Sequence, residues 1–302
     1  MSTSILVAVD LSESSDEALR QAHERAEAAA GTLTVLYVVP NPMHSDPLFP
    51  HLDRKVESSM PARKRRLRTE VLERVEAVTG RDEGAVEVVV EDGWAHVVIV
   101  RQAEQRSVDL LVIGSHGSDG GTRFMLGDVA EKVVRHAHGP VLVARPRPGS
   151  GVILVATDFS DASLPAVAAA VEEARRTGAR LSIMHTVDLS PGLLAGLELS
   201  TGVMAYGAPS VLPAELREAV DDMLSGALAR LGADGDRIVV EGQPAAAIVH
   251  TAAELRADLV VLGTVGRTGL PRLLLGSVAE AVVRNAPCSV LVARHAVAAR
   301  PA

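Results

Sequence analysis

Two stretches of the sequence share one spacing of glycines. In the second, Gly263-Thr264-Val265-Gly266 is followed, after nine residues, by Gly276-Ser277. In the first, Gly114-Ser115-His116-Gly117 is followed, after nine residues, by Gly127-Asp128. Each frame closes an aliphatic run and opens a segment of helical periodicity. Glycine lets backbone N–H groups turn inward and approach an anion closely, and a helix N-terminus adds unpaired donors and the positive end of a dipole. The chemistry on offer is a phosphate cradle. The spacing is neither GxxxxGK(S/T) nor GxGxxG, so neither the P-loop nor the dinucleotide fingerprint applies.

The residue after the last glycine separates the copies. Ser277 with Glu280 reads as a capping box, and Asp128 with Glu131 as a good helix cap. A serine hydroxyl can donate to phosphate, whereas an ionised carboxylate only accepts and adds like charge, so the second copy is expected to bind more tightly. His116 in the first loop faces Val265 in the second, so chemistry common to both copies cannot depend on it. His136 and His138 fall at a helix end and read as partners of carbonyls rather than metal ligands. The run Arg63-Lys64-Arg65-Arg66, with Arg68, precedes Glu70, Glu73 and Glu76 and reads as a solvated, salt-bridged helical face. No Ser-His-Asp set is common to both copies and no nucleophile stands beside an evident base, so the sequence assigns no catalytic residue and no metal ligand.

These residues are positioned by a duplicated scaffold. Leu110 to Arg145 aligns without a gap on Leu259 to Arg294, with 20 of 36 positions identical at an offset of 149 residues. The offset also brings Gly93 onto Gly242, and Asp10 lies near Asp158 at an offset of 148. The expected organisation is a first domain over 1–147, a second over 148–296 and a tail over 297–302, with the seam in Arg145-Pro146-Arg147-Pro148-Gly149-Ser150. Each copy alternates strand and helix. In the first, strands are expected over Ile5 to Val9, Leu33 to Val39, Val86 to Val90, Asp109 to Ile113 and Pro140 to Ala144. Helices are expected over Ser15 to Ala30, Val56 to Val78, Ala95 to Gln105 and Asp128 to Ala137. Strands such as Leu110-Leu111-Val112-Ile113 are apolar without alternation, as in a parallel sheet covered on both faces. The fold class is α/β: two doubly wound domains, each a five-stranded parallel sheet in the order 3-2-1-4-5, with ligands expected outside the carboxyl ends of the strands. The divergent stretches Pro40 to Asp53 and Leu189 to Pro213 read as long surface loops.

Composition narrows the function. The 302 residues carry a net charge of -8 and are only 2% aromatic, which disfavours nucleic acid as a partner. A single cysteine, Cys288, excludes an intrachain disulfide framework. No apolar run is long enough to span a bilayer, and Met1 to Leu11 lacks a basic n-region, so a cytoplasmic protein with no membrane partner is expected.

At the glycine frame the chain resembles the universal stress protein family, whose ATP-binding members carry G-x2-G-x9-G-(S/T) after strand four. The second copy matches in full; the first departs at Asp128. The likeness extends over nearly the whole chain as a tandem pair, including the aspartate closing strand one and Gly242-Gln243-Pro244 after strand three. It implies ATP, with Mg or Mn where a divalent cation is needed. Asp158 would meet the ribose or adenine edge, and the backbone at Thr186 the adenine. Gly263, Gly266, Gly276 and Ser277 would hold phosphates, with Arg267 adding a cation near the γ-phosphate. In the first copy Asp10, Val38, Gly114, Gly117 and Gly127 keep their places, while Trp94-Ala95 stands for Gln243-Pro244, implying a weaker site. The resemblance implies a nucleotide-dependent stress-response sensor or scaffold with at most slow ATP hydrolysis and an unknown protein partner. It also implies that the apolar fifth strands, Val141 to Ala144 and Val290 to Ala293, join the copies as an intramolecular pseudo-dimer, with a homodimer also open. Two alternatives stand beside it. One is an ATP-using transferase or pyrophosphatase of related fold, although HIGH, KMSKS and SGGxDS elements are absent. The other is a nucleotide-independent interaction module.

Overall fold

A computed structural model describes residues 3–40, 50–81, 86–117, 126–188, 212–264 and 275–294. The chain divides into two compact units, the first built from Met1–Pro146 and the second from Arg147–Arg294. Unit 1 runs β1 (Ser4–Val9), α1 (Glu13–Ala28), β2 (Thr32–Pro40), α2 (Pro50–Thr79), β3 (Glu87–Gly93), α3 (Ala95–Gln105), β4 (Leu110–Gly114), α4 (Asp128–His136) and β5 (Val141–Ala144). All its strand pairs are parallel, β1 lying between β2 and β4, with β3 beyond β2 and β5 beyond β4. The order is the expected 3-2-1-4-5. α1 packs on α2, and α3 on α4. The strand centres are aliphatic and fully buried, among them Leu6, Val7, Val35, Leu36 and Val112. This is the covered-on-both-faces pattern that leaves only the strand ends for chemistry.

Unit 2 repeats the plan with β6 (Val152–Ala156), α5 (Leu164–Thr177), β7 (Arg180–Val187), α6 (Ala214–Ala229), β8 (Asp236–Glu241), α7 (Pro244–Glu254), β9 (Leu259–Gly263), α8 (Ser277–Asn285) and β10 (Ser289–Ala293). Its ladders are again parallel, with β6 between β7 and β9. α5 ends at Gly178 with φ +68, the left-handed terminus that glycine adopts without a Cβ penalty. Cys288 is buried.

One expectation is corrected. The stretch Pro40 to Asp53 is not all loop, because α2 begins at Pro50 rather than Val56. Proline suits a first helical position, where its missing N–H has no intrahelical acceptor in any case. The basic stretch of α2 is salt-bridged as expected: Arg66 pairs with Glu70 at 2.8 Å, and Lys64 pairs with Asp92 at the carboxyl end of β3 and lies 3.9 Å from Glu91. The same helix is clamped to α1 by Arg74, which donates through Nε to Asp16 Oδ1 at 2.7 Å and through Nη2 to Oδ2 at 2.5 Å. Among the described residues no helix is long and apolar enough to cross a membrane.

Candidate functional site

In each unit the first strand and the fourth lie side by side while their chains leave in different directions, and this reversal opens a crevice at the carboxyl edge. In unit 1 the crevice starts at Asp10. Ser12 donates to Asp10 Oδ1 through its amide at 3.1 Å and its hydroxyl at 2.5 Å, which folds Asp10-Leu11-Ser12 into a tight turn. The turn holds Leu11 in the left-handed region at φ 65. Ser12 then caps α1 by accepting from the Ser15 amide. Unit 2 repeats the arrangement: Ser160 donates to Asp158 Oδ1 at 3.0 Å and 2.5 Å, and Phe159 sits at φ 61. A left-handed leucine or phenylalanine is uncommon, and the same turn recurs at both aspartates. The sequence reading missed this turn, although Asp-x-Ser recurs in both copies at Asp10 and Asp158.

The glycines of the frame divide into two kinds. A Cβ on Gly114 would stand 2.7 Å from Ser14 Oγ and 2.9 Å from Ser14 O, and one on Gly263 would stand 2.8 Å from Ala162 O. These two let the fourth strand pass the first turn of α1 in unit 1 and the turn just before α5 in unit 2, a packing demand on both. Gly117 is different: a Cβ there would stand 3.1 Å from Asp10 Oδ2, so the loop backbone is brought against the aspartate. Gly127 has room for a Cβ, the nearest atom being His116 Cα at 3.5 Å. Gly266 and Arg267 lie outside the described residues.

Gly127 and Gly276 close the loops, their amides donating to Ser115 O at 2.8 Å and Thr264 O at 2.7 Å. They are also the N-caps of α4 and α8, and neither helix has a side-chain cap. This corrects the capping-box reading of Ser277 and the cap assigned to Asp128: both are the first helical residue, one position too late to cap. The first intrahelical bonds are Glu131 N to Gly127 O and Glu280 N to Gly276 O, each 2.9 Å. The amides of Ser277, Val278 and Ala279, like those of Asp128, Val129 and Ala130, lie ahead of those bonds, which makes each helix start an anion site in waiting. Asp128 directs its carboxylate along the helix flank, accepting from Lys132 Nζ at 2.7 Å with its side chain 77% exposed. The position equivalent to Lys132 in unit 2 is Ala281.

The second strand supplies the other wall. β1 pairs with β2 only as far as Val9 with Tyr37, so Val38, Val39 and Pro40 project past β1 while pairing with Glu91, Asp92 and Gly93 of β3. In unit 2, β6 pairs with β7 only as far as Met184, leaving His185, Thr186 and Val187 projecting, paired with Val239, Val240 and Glu241. Val38 and Thr186 therefore lie past the last pairs that β1 and β6 make, on the carboxyl side of the sheet. Burial pushes the Tyr37 phenol above its ordinary pKa and the Asp10 carboxylate adds to the shift, so it remains a hydroxyl. In unit 2 the ring of Phe159 packs on His185 with centroids 4.5 Å apart, and His185 Nδ1 lies 2.8 Å from Thr157 O.

Around α4, burial, Lys132 and His136 depress the pKa of His96. His136 Nδ1 lies 2.7 Å from Lys132 O, as expected of a histidine at a helix end, and His138 pairs with Glu104. His116 Nδ1 lies 2.8 Å from Ser115 Oγ, and its amide donates to Ser14 Oγ at 3.2 Å. Among the described residues no group of three or more His, Cys, Asp or Glu is placed to hold a metal ion.

Comparison with known proteins follows the duplication. The sequence profile of the universal stress protein family matches residues 1–145 and again 150–294. A universal stress protein of Methanocaldococcus jannaschii is 38% identical over 145 residues, covering 47% of this chain and 81% of that protein. The chain spans about 60% of the length of the mycobacterial universal stress proteins it matches. A universal stress protein structure from Archaeoglobus fulgidus DSM 4304 matches over 96% of this chain and 97% of its own, with a TM-score of 0.61 at 24% identity, a likeness of fold. A universal stress protein solved in complex with cAMP is 29% identical over 47% of this chain and 95% of its own, with a TM-score of 0.34.

Proposed function

Because the chain belongs to the universal stress protein family and carries two tandem copies of its domain, we propose that each crevice binds ATP and that the protein is a nucleotide-dependent stress-response sensor or scaffold. The observation that carries the reading is the pairing, in both units, of an uncapped glycine helix start with an aspartate held in a strained turn. The helix start is suited to phosphate and the aspartate to ribose hydroxyls. In unit 2, Asp158 takes the ribose, the backbone at Thr186 the base, and Gly263, Gly266, Gly276 and Ser277 line the phosphate end, with Arg267 as an added cation. In unit 1 the same parts fall to Asp10, Val38, Gly114, Gly117 and Gly127, with Asp128 weakening the phosphate end. Bound ATP supplies a triphosphate whose charge a divalent cation, Mg or Mn, would offset.

Turnover is expected to be slow. His116, the imidazole of the first glycine loop, has its Nδ1 engaged with Ser115, and unit 2 has Val265 in that place. The proposal includes an intramolecular pair of repeats, on the apolar sequence of the fifth strands alone, and a protein partner still to be found.

The test is mass spectrometry of small molecules released from the denatured, purified protein, followed by calorimetric titration with ATP. Bound ATP or ADP and saturable binding are expected; absence of both would overturn the reading. Gly276→Val should lower unit 2 affinity by about a hundredfold, roughly 2.7 kcal/mol, by obstructing approach to the helix amides. Steady-state hydrolysis above about 1 per second, an ordinary enzyme rate, would instead make the protein an ATPase.

A further inference from the structure

The chain contains six aromatic residues, Tyr37, Phe49, Trp94, Phe124, Phe159 and Tyr206. In chain order every one falls near the carboxyl end of a strand or in the connection that follows it. Tyr37 pairs with the last residue of β1, Trp94 follows β3, and Phe159 follows β6. Phe49, Phe124 and Tyr206 lie between β2 and α2, β4 and α4, and β7 and α6, outside the described residues. Aromatics used only for core volume would be spread along strands and helices, whereas no aromatic side chain is among the buried core residues described. The three described aromatics, Tyr37, Trp94 and Phe159, stand at the edge where an α/β sheet takes its ligand.

Among the described residues Trp94 is the most exposed of the large apolar side chains, at 56%, and Val97 of α3 and Val129 of α4 are exposed too. Its place is set by backbone. Gly93, turned at φ +136, pairs with Pro40, the last residue of the β2 overhang, and Trp94 comes next as the N-cap of α3. α3 packs against β2. Tyr37 faces α2, within electrostatic reach of Arg63 and Glu70, so strand alternation turns Val38 to the other face, which α3 covers. Trp94 and Val38 thus stand on the same side of the sheet at the mouth of the unit 1 crevice. Unit 2 has Gln243 at the position of Trp94 and Ala246 at that of Val97.

We infer that Trp94 is the base-stacking residue of unit 1: its indole receives the flat face of the nucleobase whose phosphates lie at the start of α4. The inference rests on the nucleotide reading above and adds the base contact that distinguishes this unit. An aromatic face grips any base through stacking, which offsets the weaker phosphate end left by Asp128.

Trp94 is the sole tryptophan, so its fluorescence reports unit 1 alone. The experiment uses the full chain carrying Gly276→Val to silence unit 2, titrated with ATP and, separately, with inorganic tripolyphosphate, which has no base. ATP should quench the fluorescence saturably. Trp94→Ala should weaken ATP binding in calorimetry by about tenfold while leaving tripolyphosphate affinity unchanged, and Trp94→Phe should restore most of the loss. If ATP binds unit 1 in calorimetry without a fluorescence change, and Trp94→Ala binds it as well as the parent, the stacking role is wrong and the nucleotide reading stands. If neither unit of the native chain binds ATP, the nucleotide reading fails and the stacking role fails with it.

Discussion

Unit 1 and unit 2 share a frame and differ in what is mounted on it. The frame is the aspartate turn, the glycine that lets the fourth strand pass the first helix, and the glycine N-cap; each recurs at matching positions with matching hydrogen bonds. The mounted residues are Trp94, His96, Asp128 and Lys132 in one unit, against Gln243, Ala245, Ser277 and Ala281 in the other. Parts that hold backbone geometry are the same in both copies, while side chains on the two helices that follow the third and fourth strands have diverged in charge and aromaticity. The two crevices therefore present one geometry to a ligand with two chemistries.

The comparison can be broken most sharply at its common part. Gly114→Val and Gly263→Val should each lower unfolding free energy by about 3 kcal/mol, because the new Cβ meets backbone oxygen that cannot swing aside. Urea denaturation measures this, and normal stability with lost ATP binding would show that these glycines serve the ligand rather than the fold. Next in size is the clamp between Arg74 and Asp16 in unit 1. Arg74→Ala should cost about 1.5 kcal/mol, since it strands the largely buried Asp16 carboxylate, whereas Leu164 at the matching place in unit 2 has no charge to lose. The arginine is half-exposed, so solvent moderates the effect. A loss no greater than that of an ordinary surface substitution in a denaturation series would remove this distinction.

Asp128→Ser sharpens the comparison from the ligand side. It should raise unit 1 affinity for ATP about fivefold, roughly 1 kcal/mol, and the pairing with Lys132 keeps the gain from being larger. Equal calorimetric affinities before and after the change would show that this position does not set phosphate binding. The smallest effect is one of pH. His96 and His23 are both held below the ordinary imidazole pKa by burial first, so the folded chain favours their neutral forms. As pH falls below the ordinary value the unfolded chain takes up protons that the folded one refuses, and stability declines until the folded pKa is passed. Tm should therefore drop between about pH 7 and about pH 5, and His96→Ala should flatten part of that slope. An unchanged slope would mean that the depressed imidazole is not felt in unit 1 stability.

Much of this was legible in the sequence. Unbroken aliphatic runs, helical periodicity and the internal repeat led to the doubly wound halves and the 3-2-1-4-5 order, because those signals are short-range and doubled. The glycine frame was visible as a spacing, but its internal division was not. Whether a glycine serves a ligand or a close packing contact depends on Ser14 or Ala162 arriving from far along the chain. The capping reading failed by one residue, since Ser-x-x-Glu fits a helix starting at either position and the choice falls to the loop closure at Thr264. Asp-x-Ser is present in both copies, yet the residue types at 11 and 159 give no sign of positive φ; both are held there by the aspartate–serine bonds on either side.

Those two left-handed residues bear on timing. A non-glycine residue in that region costs on the order of 1 kcal/mol or more, and the folded chain carries the cost whether or not anything is bound. The ribose end of each proposed site is thus already set when a nucleotide arrives, so no ordering step at the aspartate delays capture or subtracts from affinity. Occupancy at such a turn would follow the surrounding nucleotide pool without lag, its association rate set by diffusion and docking, and the memory of a past concentration would last only as long as the ligand's own residence.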